Sequence, residues 1–437
     1  MTLVQTLIDS AVVGADWLSL ERPRLRRSAS AQPGRHLALF AWALPPNSGA
    51  GVHRPLSFIR YGSGAGWRID AFCGEPRDEQ RQHGDELLSR VPRGATLHAV
   101  PRSSRQPSYR FFTPIDGGLT NALAFAHHAS TTLANDPPDI VLASGPPFSM
   151  FVAGLLVSRR FGVPLVLDYR DEWTECPYDF VNKDGNDRAW ERRCLRAADA
   201  VLFTTESHRR HQLATFPELL SRKAHLVPNG WEPDDFVDAG RKPRVVEPTE
   251  AAVVCLSHVG TLAGHIPPND FLDSLQQLLT EEPGRIPSIR IQFIGRRSSS
   301  VDAAIRTFKF PTVIEVIDHV GKREANRRMQ ESDGLLLLAA PDLERYLPGK
   351  LFDYLASRRP VLVFGSRGES ATLVDQLGAG VFCPSGSVAA LRDALVRLQK
   401  LDMTGQRDSV DDWLREHRRE ALASRAFAVI ESVRRRT

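Results

Sequence analysis

The chain has 437 residues, of which 42% are apolar and 25% charged, and 56 basic against 52 acidic residues give a formal net charge of +4. This balance is typical of an ordinary globular protein and argues against an intrinsically disordered, collagen-like or membrane-embedded chain. The small positive excess also argues against a dedicated nucleic-acid-binding protein. The length is sufficient for two or three domains.

The amino-terminal residues predict a helical arm at positions 1–33. Leu3, Leu7, Ile8 and Val12 lie at helical spacing, and a basic, polar linker follows. The stretch has no charged leader and no long apolar run, so we expect neither a signal peptide nor a membrane span. Two roles remain open for the arm. Packing against the protein or a second copy, as in a homodimer, is favoured over peripheral contact with an anionic membrane.

Short apolar runs alternate with helix-length segments from His36 onwards, first in HLALFAWAL, DIVLASG and PLVLDYR, and later in IRIQFIG, GLLLLAA and RPVLVFG. This alternation predicts parallel sheets covered by helices on both faces. We predict an α/β fold with two facing Rossmann-like domains at 34–236 and 250–415 and an interdomain cleft, followed by a helix at 416–437 that crosses back to the first domain.

Several predicted strands end in residues suited to ligand binding, because open α/β sheets bind ligands at the carboxyl ends of their strands. Gly49 and Gly51 follow the first strand, where a turn lets backbone approach a bound anion, although a plain tight turn explains them equally well. A very apolar strand runs into Asp168, Arg170 and Asp171, which predicts either catalytic groups or a structural ion-pair network.

The segment ERYLPGKLFDYLASRRPVLVFG carries the strongest signal. Pro348 and Gly349 lie where a helix would begin, so that the next N–H groups are open to phosphate oxygens. Lys350 in the first turn adds a cation, and Asp353 one turn later is able to accept hydrogen bonds from ribose hydroxyls.

These residues resemble the retaining GT-B glycosyltransferases, specifically the large family-4 group with bacterial polysaccharide and natural-product members. The resemblance runs from about His36 to the final helix. It is carried by the order and spacing of SGPPFS, GVPLVLDYRDEWTE, RRCLRAADAVLFTTES, HLVPNGWEPDDF, LSHVGTLAGH and LPGKLFDYLASRRPVLVFG.

The resemblance implies that the C-terminal domain binds a nucleotide-diphosphate sugar and the N-terminal domain binds the acceptor. Asp353 matches the second acidic position of the E-x7-E element, which binds the donor ribose, whereas Arg345 occupies the first position and leaves Glu344 as a candidate catalytic residue only if the loop shifts by one. Further expected donor contacts, in the absence of the family's basic pair after the strand, are Gly260, Thr261, His265, Arg296, Gly349, Lys350 and Leu351, together with Gly49 and Gly51. Arg170 and Asp171 match catalytic-face positions.

Metal and cofactor sites are not predicted. The five cysteines form no C-x-x-C pair, which fits a reducing, cytoplasmic compartment, and there is no Asp-x-Asp element of a metal-dependent transferase. We interpret His127, His128, His208 and His211 as surface helix histidines rather than metal ligands.

The predicted function is therefore metal-independent transfer of a sugar from a nucleotide diphosphate to a hydroxyl or amine acceptor, with the retention of anomeric configuration that the resemblance implies. Two alternatives remain open: a GT-B-shaped nucleotide-sugar epimerase and a donor-binding pseudoenzyme. The base, the sugar and the acceptor do not follow from the sequence.

Overall fold

The computed structural model divides the chain into two compact units, Met1–Pro228 with Leu422–Thr437, and Asn229–Ala421, called here the first and second units. Each unit is built on one parallel sheet, of seven strands in the first and six in the second. The structure describes residues 3–20, 34–76, 84–105, 115–178, 181, 183–236, 253–263, 266–286, 288–401 and 407–435.

The first unit has the strand order β3-β2-β1-β4-β5-β6-β7, with all neighbours parallel. Its strands are β1 His36–Ala41, β2 Arg68–Gly74, β3 Ala95–Val100, β4 Ile140–Gly145, β5 Leu165–Tyr169, β6 Ala200–Phe203 and β7 Ala224–Leu226. Its helices are α1 Leu3–Leu20, α2 His53–Gly64, α3 Gly84–Leu88, α4 Leu119–Thr132, α5 Ser149–Phe161, α6 Gly185–Ala197, α7 Glu206–Thr215 and α8 Pro217–Leu220.

The central strands β1, β4, β5 and β6 of the first unit are buried on both faces, which explains why they read as apolar runs. Every residue of β1 is buried. Ala38 and Phe40 pack in one apolar cluster, while Leu37 and Leu39 pack in another, because alternate side chains of a strand point to opposite faces.

The predicted amino-terminal helix is present as α1 and packs on the first unit. Leu20 is buried, and the Trp17 ring meets Trp190 of α6 edge to face with 5.6 Å between centroids. Leu7 and Leu18 are exposed. The linker at 21–33 lies outside the described residues. None of the described helices is long and apolar enough to cross a membrane.

The second unit has the strand order β10-β9-β8-β11-β12-β13, again all parallel. Its strands are β8 Val254–Val259, β9 Ile289–Ile294, β10 Ile314–Ile317, β11 Gly334–Ala339, β12 Val361–Gly365 and β13 Gly380–Pro384. The accompanying helices are α9 Asn269–Glu281, α10 Ser299–Thr307, α11 Lys322–Glu331, α12 Gly349–Ala356, α13 Glu369–Gln376, α14 Val388–Lys400, α15 Arg407–Glu416 and α16 Arg419–Arg434.

The unit boundaries differ from the predicted domain boundaries. Residues 229–236, expected in the first domain, belong to the second unit, where the buried indole N–H of Trp231 donates to Leu414 O at 2.7 Å. The expected carboxyl-terminal helix is α16, and it joins the first unit from Leu422 onwards. There Phe427 packs on Trp67 with ring centroids 5.3 Å apart. A tryptophan contact lies close to each junction, that of Trp231 after Pro228 and that of Trp67 with Phe427 after Leu422.

Candidate functional site

Arg170 follows β5 and ties together the loops at the carboxyl edge of the first sheet. Its guanidinium donates to Gly145 O at 3.2 Å, to Gly51 O at 2.8 Å and to Pro146 O. Gly145 is the last residue of β4, Pro146 follows it, and Gly51 lies in the segment after β1. The contacts of the Arg170 guanidinium in the described residues are thus to backbone carbonyls, and its expected part in catalysis stays a prediction.

Gly51 allows this arrangement, and Gly49 does not take part in it. A Cβ atom at position 51 would lie 2.8 Å from Nη1 of Arg170, so the guanidinium would have to shift to admit a side chain there. At Gly49 a Cβ would meet nothing within 4 Å. The second glycine of the predicted turn thus leaves room for the arginine clamp formed by Arg170, and its expected contact with a ligand stays a prediction.

A buried ion pair lies beside the clamp. Arg54, in the first turn of α2, donates from Nε and Nη2 to Oδ1 of Asp168 at 2.9 and 2.7 Å, and Ser144 Oγ donates to Oδ2 at 2.8 Å. A further Arg54 N–H donates to Pro228 O at 2.7 Å. Asp168 is fully buried, so its charge is compensated by these contacts and by the positive charge of the nearby Arg170. This half of the charged cluster is a structural ion pair.

Asp171 differs from its neighbours because it is half-buried, and within the described residues no hydrogen bond or ion pair reaches its carboxylate. Partial removal from water raises the pKa of Asp171 to about 6, against the opposing charge of Arg170 and with a smaller contribution from Glu172. A carboxylate that is partly exposed to solvent, has no hydrogen-bond partner in the described residues and has a pKa near 6 is suited to accept a proton from a ligand.

Two carboxyl groups that pack behind this turn are buried, and burial raises the pKa of each toward neutral pH. Burial raises the pKa of Glu191 in α6 to about 7, although it accepts hydrogen bonds from Thr174 N at 3.2 Å and Tyr169 OH at 3.3 Å. Asp187 has a pKa raised to about 6 by burial and accepts from the indole N–H of Trp173 at 2.8 Å. Both groups hold the turn after β5 against α6.

The second unit places a lysine across a glycine turn. Lys350 lies in the first turn of α12, and its amine donates to Nε2 of His258 in β8 at 3.0 Å. A Cβ atom on Gly260, which has a φ of +132°, would lie 3.1 Å from both Cε and Nζ of Lys350. Removal from water lowers the pKa of Lys350 to about 8. The predicted Lys350 and Gly260 are therefore in contact.

Asp353 lies one turn further along α12 and pairs with a residue that the sequence did not indicate. Lys322, the first residue of α11, donates to Oδ2 of Asp353 at 2.5 Å. Oδ1 of Asp353 is buried and has no hydrogen-bond partner in the described part of the chain. Because buried oxygens are normally paired, this unsatisfied acceptor is consistent with a hydroxyl donor supplied by a ligand.

The start of α12 is open for a ligand. Gly349 is exposed, no side chain caps the helix at Pro348, and a Cβ at Gly349 would meet nothing within 4 Å. Leu351, in contrast, is fully buried in the apolar core and its N–H donates to Pro348 O at 2.9 Å. The expectation that Leu351 contacts a donor is corrected accordingly, since helical periodicity turns its side chain into the core.

Other predicted donor contacts lie on loops of the same sheet. Thr261 is exposed directly after Gly260, and Arg296 is half-buried after β9, with no hydrogen bond or ion pair to its guanidinium among the residues that the structure covers. Glu344 is exposed after a 3-10 turn that follows β11, and its carbonyl accepts from Glu369 N at 2.8 Å. His265 lies outside the described residues.

The histidine prediction holds only in part. His127 is exposed, but His208 is fully buried and packs edge-on against Phe203 with ring centroids 5.1 Å apart. The prediction was wrong for His208 because this residue lies on the buried face of α7. The spacing of His208 and His211 does not reveal which face of the helix is buried. In the described ranges no group of three or more His, Cys, Asp or Glu side chains is arranged to hold a metal ion.

Three residues with central contacts were missed by the sequence reasoning: Arg54, His258 and Lys322. His258 carried a usable signal, since a histidine inside a buried strand needs partners for both ring nitrogens. Arg54 and Lys322 carried none, because an arginine or lysine in a first helical turn is ordinary at a protein surface.

Comparison with known proteins agrees with this architecture. Residues 49–230 match the family described as Glycosyl transferase 4-like domain. Among solved structures, sucrose-phosphate synthase from Thermosynechococcus elongatus superposes with a TM-score of 0.66 at 12% identity, covering 92% of this chain and 100% of that chain. No curated protein sequence matches the chain.

Two further structures share the fold. A glycosyltransferase from Rickettsia africae gives a TM-score of 0.66 at 12% identity, covering 92% of this chain and 98% of that one. The trehalose-6-phosphate protein from E. coli, bound with UDP-2-fluoro glucose, gives 0.63 at 14% identity, with coverages of 91% and 99%. Residues 49–230 are thus similar to a glycosyl transferase 4-like domain. The chain as a whole shares with these structures the GT-B fold of two Rossmann-like domains.

Proposed function

We propose that the second unit binds a nucleotide-diphosphate sugar and that the first unit receives a hydroxyl or amine acceptor, with transfer that retains the anomeric configuration. The observation that carries the donor assignment is the presence of two groups one turn apart on α12. They are the Lys350 ammonium, which contacts His258, and the buried Oδ1 of Asp353, which has no hydrogen-bond partner in the described residues. A diphosphate and a ribose hydroxyl are the chemical partners of these two groups.

The donor half would work by electrostatic stabilisation. The bond between the sugar anomeric carbon and the diphosphate oxygen breaks in the reaction, and negative charge accumulates on the departing diphosphate. The Lys350 ammonium and the uncapped N–H groups at the start of α12 are oriented donors for this charge. The UDP-2-fluoro glucose on the E. coli relative makes UDP-sugars the first donors to test.

The acceptor half would use Asp171. As the acceptor oxygen forms its bond to the anomeric carbon, it loses a proton, and the Asp171 carboxylate is the uncommitted group in the described turn after β5 that can take it. At neutral pH a carboxyl with a pKa of about 6 is mostly ionised and still basic enough to act. Arg170 would position this turn rather than touch the substrate.

The assignment is tested by incubating the protein with UDP-, GDP- and dTDP-sugars and measuring nucleoside diphosphate release. Slow release in water, with the product sugar keeping its anomeric configuration in an immediate NMR spectrum, is the expected result. Conversion of the sugar without release would indicate an epimerase, and tight binding without either reaction would indicate a pseudoenzyme; each would contradict the proposal.

Asp353→Asn tests the donor site itself. We expect donor binding to weaken by about 1 to 3 kcal/mol, because the amide no longer offers a charged acceptor to the ribose hydroxyls. Isothermal titration measures the affinity, and Asp342→Asn, an exposed carboxylate in the loop after β11, serves as the control. Equal affinities in the two folded variants would remove Asp353 from the ribose site.

A further inference from the structure

His258 is a fully buried imidazole in β8 whose partners define its protonation. Its Nδ1 lies 3.1 Å from Leu336 O on the neighbouring strand β11, and its Nε2 lies 3.0 Å from Nζ of Lys350. A carbonyl oxygen only accepts, so Nδ1 carries the hydrogen. Nε2 is then a lone-pair acceptor facing the ammonium group.

The charge state of His258 supports this assignment. Burial, followed by the positive charge of Lys350, lowers the pKa of His258 well below its ordinary value. The ring therefore stays neutral across the physiological range and does not compete with the lysine for the proton. A row of hydrogen bonds runs from the backbone of β11, through the imidazole, to the amine on α12.

Lys350 gains orientation from this row. Its stem crosses the backbone at Gly260, and an amine at this position has an acceptor on one side and a glycine without side chain on the other. The N–H directions that His258 does not use remain available to an anion. In the described chain, no carboxylate hydrogen-bonds to Lys350.

We propose that His258 is a positioning residue that holds the Lys350 amine over Gly260, and that this amine supplies a cation for the donor diphosphate. The inference rests on the proposed function. The turn after β8 is neutral at Gly260 and Thr261, and the cation beside it comes from α12 instead.

The pH dependence of binding follows from the surroundings of Lys350. Arg296 after β9, Asp353 on α12 and its partner Lys322 on α11 are charged groups of the same unit, but in the described residues the Lys350 amine hydrogen-bonds to the neutral ring of His258 and to none of these, and removal from water is what lowers its pKa. Since the pKa of Lys350 is lowered to about 8, the amine loses its proton just above neutral pH. Nucleoside diphosphate affinity should be level below pH 7.5 and fall as the pH rises through 8.

The test measures the dissociation constant of UDP, GDP and dTDP by isothermal titration between pH 6.5 and 9, using the nucleotide that binds wild-type protein most tightly. His258→Leu removes the acceptor, and we expect affinity at pH 7 to fall about tenfold. We also expect the alkaline midpoint to move above pH 9, because the freed side chain turns into solvent. His258→Gln keeps an acceptor near the Nε2 position and should restore most of the affinity.

Two controls separate the possible failures. His127→Leu, an exposed histidine on α4, should bind as wild type does. Lys350→Arg keeps a cation that does not titrate, so its affinity should stay level up to pH 9 even if His258→Leu fails to fold. Wild-type affinity and midpoint in His258→Leu, or an unchanged alkaline fall in Lys350→Arg, would overturn the positioning role. Absence of nucleotide binding by the wild-type protein would instead overturn the proposed function.

Discussion

At the scale of single residues, the turn after β5 shows how burial assigns different roles to adjacent charges. Asp168 is sealed in a bidentate pair with Arg54, and Arg170 is committed to backbone carbonyls. Glu175 pairs with Arg188 at 2.7 Å near the surface. Asp171 alone, among these described side chains, has access to solvent and no committed partner. Stability and chemistry are therefore separable within one turn.

Asp168→Asn tests the structural side of this division. Neutralising Asp168 leaves the buried Arg54 guanidinium without its counter-charge, and we expect the free energy of unfolding to drop by about 3 to 5 kcal/mol. Urea unfolding measures the change. Ser144→Ala, which removes only the hydroxyl donor to the same carboxylate, should cost about 1 kcal/mol. Similar losses in both variants would show that water reaches Arg54.

The residue-level contacts mark where sequence reasoning ends. Lys350 and Asp353 were predicted from a helix-start pattern, which is local, and Gly260 from the resemblance to a known family. Their partners were not, because His258 is 92 positions away from Lys350 and Arg54 is 114 positions away from Asp168. Strand order brings such residues together, and strand order is not encoded in hydrophobic periodicity.

At the scale of elements, the parallel strands were the most predictable part of the chain. HLALFAWAL contains β1, because a strand buried on both faces appears as an apolar run bounded by turn residues, and the shorter run ATLHAV coincides with the partly exposed edge strand β3. The buried residues of helix α6 were harder to predict from the sequence. Its sequence is polar, yet it buries Asp187 and Glu191, and no periodicity distinguishes a buried carboxylate from an exposed one.

The substitution Glu191→Gln tests how the buried carboxyl of Glu191 makes the free energy of unfolding depend on pH. The pKa of Glu191 is raised from 4.5 to about 7, so the folded state holds a proton that the unfolded state releases. The stabilising contribution is thus complete below about pH 4.5 and is lost as the pH rises to about 7. We expect wild type to lose about 2 to 3 kcal/mol more than Glu191→Gln between pH 4.5 and pH 8.

Chemical denaturation at the two pH values gives this difference directly. Glu218→Gln changes an exposed carboxylate on the nearby helix α8, and its pH dependence should follow that of the wild type. Parallel curves for all three proteins would mean that Glu191 is ionised throughout and that the buried site is wetter than the structure indicates.

At the scale of the whole molecule, the two units contribute one titrating group each. If Asp171 in the first unit is the proposed base, it acts only when ionised, so kcat/KM should rise as the pH passes about 6. If Lys350 in the second unit binds the diphosphate as proposed, it does so only when protonated, so kcat/KM should fall as the pH passes about 8. The predicted profile is a bell with its maximum near pH 7.

One substitution tests the acid side of this pH profile and another tests the alkaline side. Asp171→Asn should reduce turnover at least about a hundredfold and flatten the acid limb, while its near-isosteric side chain keeps the melting temperature within a few degrees. Lys350→Met should reduce turnover about tenfold and flatten the alkaline limb. A destabilised but fully active Asp171→Asn protein would show that Asp171 belongs to a structural ion-pair network and takes no part in the reaction.

The path of the chain between the units has a consequence for its biosynthesis. The first unit is interrupted after Pro228 and completed only from Leu422, whereas the second unit is one continuous segment. A ribosome therefore releases the whole second unit before the last helix of the first. Until then Trp67 and its neighbours lack the cover that Phe427 and Ile430 provide, and this apolar face is open to chaperones or to other nascent chains. A chain halted before Leu422 carries a finished second unit beside an incomplete first.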